Sequence, residues 1–184
     1  MQPAWCLTAL LLALFYLLPG SVAPLQYTPE SSAAGQWWRL LSAQFVHYDS
    51  AHLWLNIAGL WLWWLLFAQY LPRWRDWLLL LPLMVAATSA HMLSPQGVMN
   101  YAGFSGCLYG LFGYAALVDI RSGRRSSWLI LLVLVGKNGY DLWALPVIND
   151  IASYAHLGAI AMALLLVALQ PLTSMLRRLT QRPN

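Results

Sequence analysis

The chain has 184 residues, of which 60% are hydrophobic and only 9% are charged, and its formal net charge is +4. Soluble domains carry about 25% charged residues, so this composition excludes an ordinary soluble protein and indicates a membrane protein. It also leaves little exposed basic surface for RNA or DNA. We therefore expect the lipid bilayer as a partner, no nucleic acid, and a single membrane domain over residues 1–184.

Six apolar segments predict membrane spans, because a spanning helix needs roughly 20 apolar residues. They cover residues 5–18, 51–70, 77–93, 103–118, 127–145 and 151–169. The predicted fold is therefore all-α, a polytopic bundle of six transmembrane helices. A cleaved signal peptide is the alternative for the first segment, but that segment lacks a basic leading region and a proline would directly follow the cut.

The basic residues predict the orientation of the bundle, because cytoplasmic loops carry the excess of lysine and arginine. With the N-terminus inside, only Arg39 and Lys137 fall on the outer side. The other basic residues then all lie on cytoplasmic segments: Arg73, Arg75, Arg121, Arg124, Arg125, Arg177, Arg178 and Arg182. We therefore expect both termini in the cytoplasm.

The longest predicted connection, residues 19–50, lies on the outer side and ends in the aromatic run GQWWRLLSAQFVHY. Trp37 and Trp38 predict an interfacial element at the level of the lipid headgroups. Arg39 is expected to extend from it to water.

Polar side chains gather at the predicted outer ends of the spans. Polar residues inside a membrane are functional candidates by default. Those at this level are His47, His52, Asn56, His91, Ser105, Tyr109, Lys137, Asp141 and His156. Their common depth indicates one site.

The spacing of these residues sharpens that interpretation. His52 and Asn56 are four residues apart and project from one helical face, and Ser105 and Tyr109 have the same relation. At a helix N-terminus, Ser105 has a free backbone N–H and the positive end of the helix dipole beside it, which favours a negative oxygen. The alternatives are a serine bonded to its own i−4 carbonyl and histidines satisfied by backbone carbonyls.

Gly106, Gly110 and Gly113 follow the serine at helical spacing, which predicts a central helix that its neighbours approach closely. A glycine face of this kind is most often only a packing seam. The function of the segment therefore depends on its polar residues.

Taken together, the motifs resemble those of the rhomboid family of intramembrane serine proteases. The matching pieces are WR at 38–39, HxxxxHxxxN at His47, His52 and Asn56, GxSG at 103–106, and AH at 155–156. The resemblance covers about residues 36–170. Two departures are Ala159, where the family often has glycine, and the absence of an acidic residue closing the second span.

The resemblance implies a role for each site residue. Ser105 would be the nucleophile and His156 the base, a dyad without a carboxylate to orient the histidine. Tyr109 would stack on the imidazole, and the His52 and Asn56 side chains would form the oxyanion hole with the Ser105 N–H. The flanking glycines of the serine motif, Gly103 and Gly106, would support this arrangement. The implied reaction needs no cofactor and no metal.

The chain further resembles the rhombosortase branch, as a six-span rhomboid without a cytoplasmic N-terminal domain and with Lys137 and Asp141 in its fifth span. This implies cleavage of single-span proteins with a C-terminal Gly-Gly, hydrophobic-helix and basic-tail signal. It also implies the bacterial inner membrane, with the active site near the periplasmic face. Lys137 and Asp141 share a helix face, so they are either a pair that ends a short helix or a substrate contact.

Other classes of membrane protein fit less well. The His-Glu-x-x-His motif of metalloproteases is absent, as are the paired intramembrane aspartates of aspartyl proteases and the repeats of transporters. The serious alternative is a catalytically inactive rhomboid-like protein that binds transmembrane helices. Such proteins lose the serine or the histidine, and this chain keeps both.

Overall fold

The computed structural model describes residues 3–94, 99–144 and 153–170. Within these residues the fold is helical, as predicted, and the only β-pairing is an isolated bridge between Tyr27 and Tyr101. In the described part of the chain, one helical stretch, Ser50–Tyr70, is long and apolar enough to cross a membrane by length and composition alone. The apolar stretches Pro3–Leu17 and Ser153–Ala168 are shorter.

Six of the α-helices fall on the six predicted segments, and three short ones lie in the long connection. The helices are α1 (Pro3–Leu12), α2 (Val22–Leu25), α3 (Pro29–Ala33), α4 (Arg39–Ser42), α5 (Ser50–Phe67), α6 (Leu80–Met92), α7 (Ser105–Arg121), α8 (Trp128–Ala144) and α9 (Ser153–Ala168). A π-helical turn, Ala13–Leu17, extends α1. The predicted boundaries at 145 and 151 lie outside the described residues.

Helix α7 is the centre of the bundle, because it contacts α5, α6, α8 and α9, and its largest interface is with α9. Small residues allow this packing. A Cβ on Gly110 would lie 2.9 Å from the Leu83 side chain of α6 and 3.1 Å from Ala159 of α9. A Cβ on Gly106 would lie 2.8 Å from Ala87 of α6, whereas Gly113 has ordinary room for a Cβ, so the predicted close approach holds at Gly106 and Gly110 but not at Gly113.

The α6–α9 interface relies on Gly158 rather than on the neighbouring Ala159. A Cβ on Gly158 would lie 2.7 Å from the backbone oxygen of Ala86 and closer still to Ala90. Ala159 instead faces Gly110 of α7. Helix α9 therefore packs closely against both α6 and α7, although residue 159 is alanine rather than the glycine that the family often has.

A buried carboxylate joins the elements at the Arg121 end of α7. Asp119 is buried and accepts hydrogen bonds from the hydroxyls of Tyr70 and Ser127, the latter at 2.7 Å. The guanidinium of Arg124 lies 3.5 Å from the same carboxylate. Asp119 of α7 is thus bonded to Tyr70 at the end of the second predicted span, where the sequence lacks an acidic residue.

The long connection is folded rather than open, and its arginine has hydrogen-bond partners within the connection. Trp37 and Trp38 are more than half exposed, as an interfacial pair would be. Arg39 is partly exposed, and its guanidinium also donates to the carbonyls of Ala23 and Gln26 at 3.0 and 2.8 Å. Backbone carbonyls in a loop need donors as much as a cation needs hydration, and here Arg39 supplies them.

Candidate active site

Two residues from different helices meet at one end of the bundle. Ser105 is the first residue of α7, and His156 lies in the first turn of α9. The Ser105 Oγ is 3.1 Å from the His156 Nε2, although the residues are 51 positions apart. The Ser105 hydroxyl thus has the His156 imidazole as its hydrogen-bond partner. This is the arrangement of a nucleophile beside a base.

Tyr109 defines the plane of the histidine ring. Its ring lies 3.9 Å from the His156 ring with an angle of 5° between the planes. Tyr109 follows Ser105 by about one helical turn, so the same helix supplies the hydroxyl and the platform beside it. The sequence-predicted residues Ser105, His156 and Tyr109 are therefore brought together.

A residue that the sequence reasoning did not select contacts the other side of the imidazole. Asn138 of α8 is fully buried, and its Oδ1 lies 2.9 Å from the His156 Nδ1. The available signal was an amide inside an apolar helix, which is a functional candidate in a membrane protein.

The turn before Ser105 depends on Gly103. Its φ is +121°, which residues with a Cβ rarely adopt, and an added Cβ would lie 2.7 Å from the His52 Nε2. Its N–H donates to the Ala43 carbonyl at 2.9 Å. The second motif glycine, Gly106, has the Tyr101 hydroxyl where its own side chain would be, at 2.6 Å from an added Cβ.

The predicted oxyanion residues, His52 and Asn56, are positioned differently from each other. Asp49 caps α5 by accepting from the His52 N–H at 2.8 Å, and the half-buried His52 ring lies against Gly103. Asn56 is buried, and its Nδ2 lies 2.8 Å from the His47 Nε2. His52 therefore contacts the serine turn directly, whereas Asn56 is oriented through His47. Their role as oxyanion donors stays a prediction.

His47 acts as a neutral acceptor behind the site. Burial is the main cause that lowers its pKa to about 3, and the neighbouring His52 lowers it further. Its Nε2 faces two N–H groups, those of the Asn56 amide and of Phe104, the latter at 3.5 Å. Nε2 must therefore accept, which leaves the second N–H of the Asn56 amide for another partner.

Lys137 and Asp141 form an ion pair along α8, on either side of Asn138 in sequence. The lysine side chain is 57% exposed and the aspartate 18% exposed. The geometry fits both interpretations of the pair. Among the residues that the structure describes, no three His, Cys, Asp or Glu side chains are grouped as metal ligands.

Comparison with known proteins gives a consistent result. The family model of the Rhomboid domain matches residues 34–171. Proteins named Rhomboid protease GlpG from Yersinia pestis (strain Pestoides F) and Yersinia pseudotuberculosis serotype O:3 (strain YPIII) are each 28% identical over 162 residues, which is 82% of this chain and 55% of the relative. The protein of that name from Yersinia enterocolitica serotype O:8 is 28% identical over 151 residues, 77% of this chain and 51% of the relative. The chain thus spans about half the length of these relatives.

Proposed function

This chain belongs to the Rhomboid family, and we propose that it is a serine endopeptidase that cleaves membrane-anchored proteins at or near a transmembrane segment. The observation that carries the proposal is the contact between the Ser105 hydroxyl and the His156 Nε2, at 3.1 Å. The relatives that match it are named rhomboid proteases. A nucleophile with an adjacent base is what peptide hydrolysis requires.

The reaction follows the two-step course of serine proteases. The Ser105 Oγ attacks the scissile carbonyl carbon as His156 takes the hydroxyl proton on Nε2. The tetrahedral oxyanion is stabilised by the Ser105 N–H with His52 and Asn56. Its collapse breaks the C–N bond, and His156 returns the proton to the leaving amine. A water, deprotonated by His156, then hydrolyses the Ser105 ester and frees the hydroxyl.

We infer a six-span arrangement in a bacterial inner membrane, with both termini cytoplasmic and the Ser105 end of α7 near the periplasmic face. Large apolar side chains exposed on α8 support lipid contact, since soluble surfaces rarely carry such patches. They include Leu129, Leu132 and Val133, each at least 60% exposed. The arginines at the other end of α7 support the orientation.

A groove between α5 and α8 supports a helical substrate. It has a volume of about 360 Å³ and an almost wholly apolar lining, with Leu62 and Leu66 on α5 and Phe112 on α7. On α8 the lining includes Leu134, so one end of the groove lies about one helical turn from Asn138. An apolar helix from a single-span protein fits such a surface.

The finer substrate assignment is that of the rhombosortase branch, with cleavage at a C-terminal Gly-Gly followed by a hydrophobic helix and a basic tail. It is supported by the sequence resemblance around Lys137 and Asp141. A reporter carrying this signal should be cleaved, and the same reporter with Leu-Leu in place of Gly-Gly should be cleaved far more slowly. Equal cleavage of both reporters would contradict the rhombosortase assignment.

The central experiment is co-expression with a single-span, helix-anchored reporter. Wild type should cleave it and should be labelled by a serine-directed phosphonate, and Ser105→Ala and His156→Ala should do neither. Ser122→Ala is the matched control, because Ser122 caps the opposite end of α7. Binding of the reporter without cleavage by wild type would favour the inactive helix-binding alternative.

A further inference from the structure

We propose that Asn138 is a positioning residue for His156, so that the site is a Ser105–His156–Asn138 triad rather than a dyad. This inference rests on the proposed protease function. Its basis is the 2.9 Å contact between the Asn138 Oδ1 and the His156 Nδ1, made by a fully buried amide. In chymotrypsin-like serine proteases an aspartate orients the catalytic histidine, and in papain-like cysteine proteases an asparagine has that position.

The orientation of the Asn138 amide follows from its second contact. The amide nitrogen lies 2.6 Å from the backbone oxygen of Leu134, one turn earlier on α8. A backbone carbonyl can only accept a hydrogen bond, so the NH₂ group must face Leu134. The Oδ1 of Asn138 is thereby turned to His156.

The amide orientation then decides the tautomer of the histidine. Because an amide oxygen only accepts, the His156 Nδ1 must carry the proton. In the neutral ring the Nε2 is then unprotonated, and it is the atom 3.1 Å from the Ser105 hydroxyl. The Leu134 carbonyl therefore fixes the direction of each hydrogen bond in the chain from Asn138 through His156 to the Ser105 hydroxyl.

Asn138 and Tyr109 restrain different motions of the same ring. Stacking at an angle of 5° fixes the plane of the imidazole, but a 180° flip about the Cβ–Cγ bond leaves that plane unchanged and exchanges Nδ1 with Cδ2 and Nε2 with Cε1. The hydrogen bond from Nδ1 to Asn138 removes this freedom. The two residues are therefore not redundant, and Tyr109 alone does not select the productive tautomer.

An amide suits this position better than a carboxylate. A carboxylate at residue 138 would face the Leu134 carbonyl with a lone pair instead of an N–H, and would place a second negative charge near Asp141. Burial of an unpaired charge is costly inside a membrane protein. The amide supplies the acceptor that His156 needs without that charge.

The test compares Asn138→Ala, Asn138→Leu and Asn138→Asp with wild type, using cleavage of the helix-anchored reporter in detergent. We expect kcat to fall by about 10- to 100-fold in the alanine and leucine variants. A chymotrypsin-like triad loses about 10⁴-fold when its histidine is held in the wrong tautomer. The loss expected here is smaller, because without Asn138 the imidazole can still adopt the productive tautomer part of the time. Asn100→Ala, an exposed asparagine outside the helices, should retain wild-type turnover.

The aspartate variant allows a measurement, the pH dependence of kcat/KM, that would not change if Asn138 were purely structural. It keeps an acceptor for Nδ1, so part of the activity should return, and its charge favours imidazolium, so the acid limb of kcat/KM should move to higher pH. The other ionisable groups near His156 are unchanged in this variant: Lys137 of α8 with its partner Asp141, the stacked Tyr109 of α7, and His52 of α5.

Failure of this inference is distinct from failure of the proposed function. Cleavage that requires Ser105 but proceeds at the wild-type rate in Asn138→Ala, with no shift of the acid limb in Asn138→Asp, would overturn the triad alone. Cleavage that persists in Ser105→Ala would overturn the protease. If the variants do not fold, ¹⁵N-histidine NMR of wild type decides, since protonation of His156 at Nε2 rather than Nδ1 contradicts the inference.

Discussion

Gly103 is the residue at which one added methyl group should damage the site most. Its φ of +121° disfavours any residue with a Cβ, and a Cβ there would lie 2.7 Å from the His52 Nε2 and closer to the ring Cε1. The backbone strain costs about 1–3 kcal/mol, and the methyl must also displace the imidazole. Because Gly103 precedes Ser105 by two residues, the displacement reaches the nucleophile.

We expect Gly103→Ala to lower the free energy of unfolding by about 1–3 kcal/mol and kcat by about 100-fold, the effect of misplacing a reacting group by about 1 Å. Gly123→Ala is the matched control. Gly123 has a φ of +93°, but an added Cβ would meet no atom within 4 Å. It should lose only the part of the stability that comes from backbone strain, and it should keep its turnover per folded molecule.

The assay is reporter cleavage in detergent, normalised to the Ser105 that a phosphonate titrates, together with thermal unfolding. Combining Gly103→Ala with His52→Ala removes the obstructing ring, so the double variant should be more stable than the sum of the single effects. Wild-type turnover by Gly103→Ala, or strict additivity with His52→Ala, would refute the argument that this contact holds the serine turn in place.

Three further predictions concern other parts of the molecule. Removing both predicted oxyanion donors with His52→Ala and Asn56→Ala should lower kcat by about 100- to 1,000-fold per donor; an unchanged kcat would make them structural. Lys137→Met should leave the melting temperature in detergent unchanged, because exposed ion pairs contribute about 0–1 kcal/mol, and a fall in kcat/KM would identify the lysine as a substrate contact, whereas wild-type kcat/KM would exclude that role. Asp119→Ala leaves the Tyr70 hydroxyl without its acceptor and should cost about 1–3 kcal/mol in unfolding measurements, with turnover per folded molecule preserved; equal stability would show that the hydroxyl finds another partner.

The helices could be predicted from the sequence because their signal is local. Apolar runs of helical length mark α5, α7 and α9, and each predicted start lies within a few residues of the observed one. The ends were less accurate where tertiary contacts decide them. Helix α7 begins at Ser105 rather than at 103, because Gly103 has a non-helical φ of +121° and its N–H is bonded to the Ala43 carbonyl.

Contacts between residues far apart in the sequence could be predicted only in part. Ser105 and His156 are 51 positions apart, and their predicted common depth together with the family resemblance suggested that they meet. Arg39 shows what the local sequence does not reveal. A cation beside two tryptophans can be hydrated or can donate to loop carbonyls, and the sequence alone does not distinguish these partners. The fold of the connection brought Ala23 and Gln26 to it, and the carbonyls became its partners.

By itself, the sequence determined the apolar composition and the helical segments, and its motifs predicted Ser105 and His156 as nucleophile and base, since composition, periodicity and motif spacing are properties of the chain alone. Only the tertiary structure decided that Asn138, and not the charged Lys137 or Asp141, contacts His156. Neighbouring residues on a helix point in directions about 100° apart. Which of them meets α9 depends on the rotation of α8 about its axis, and packing against α7 and α9 sets that rotation.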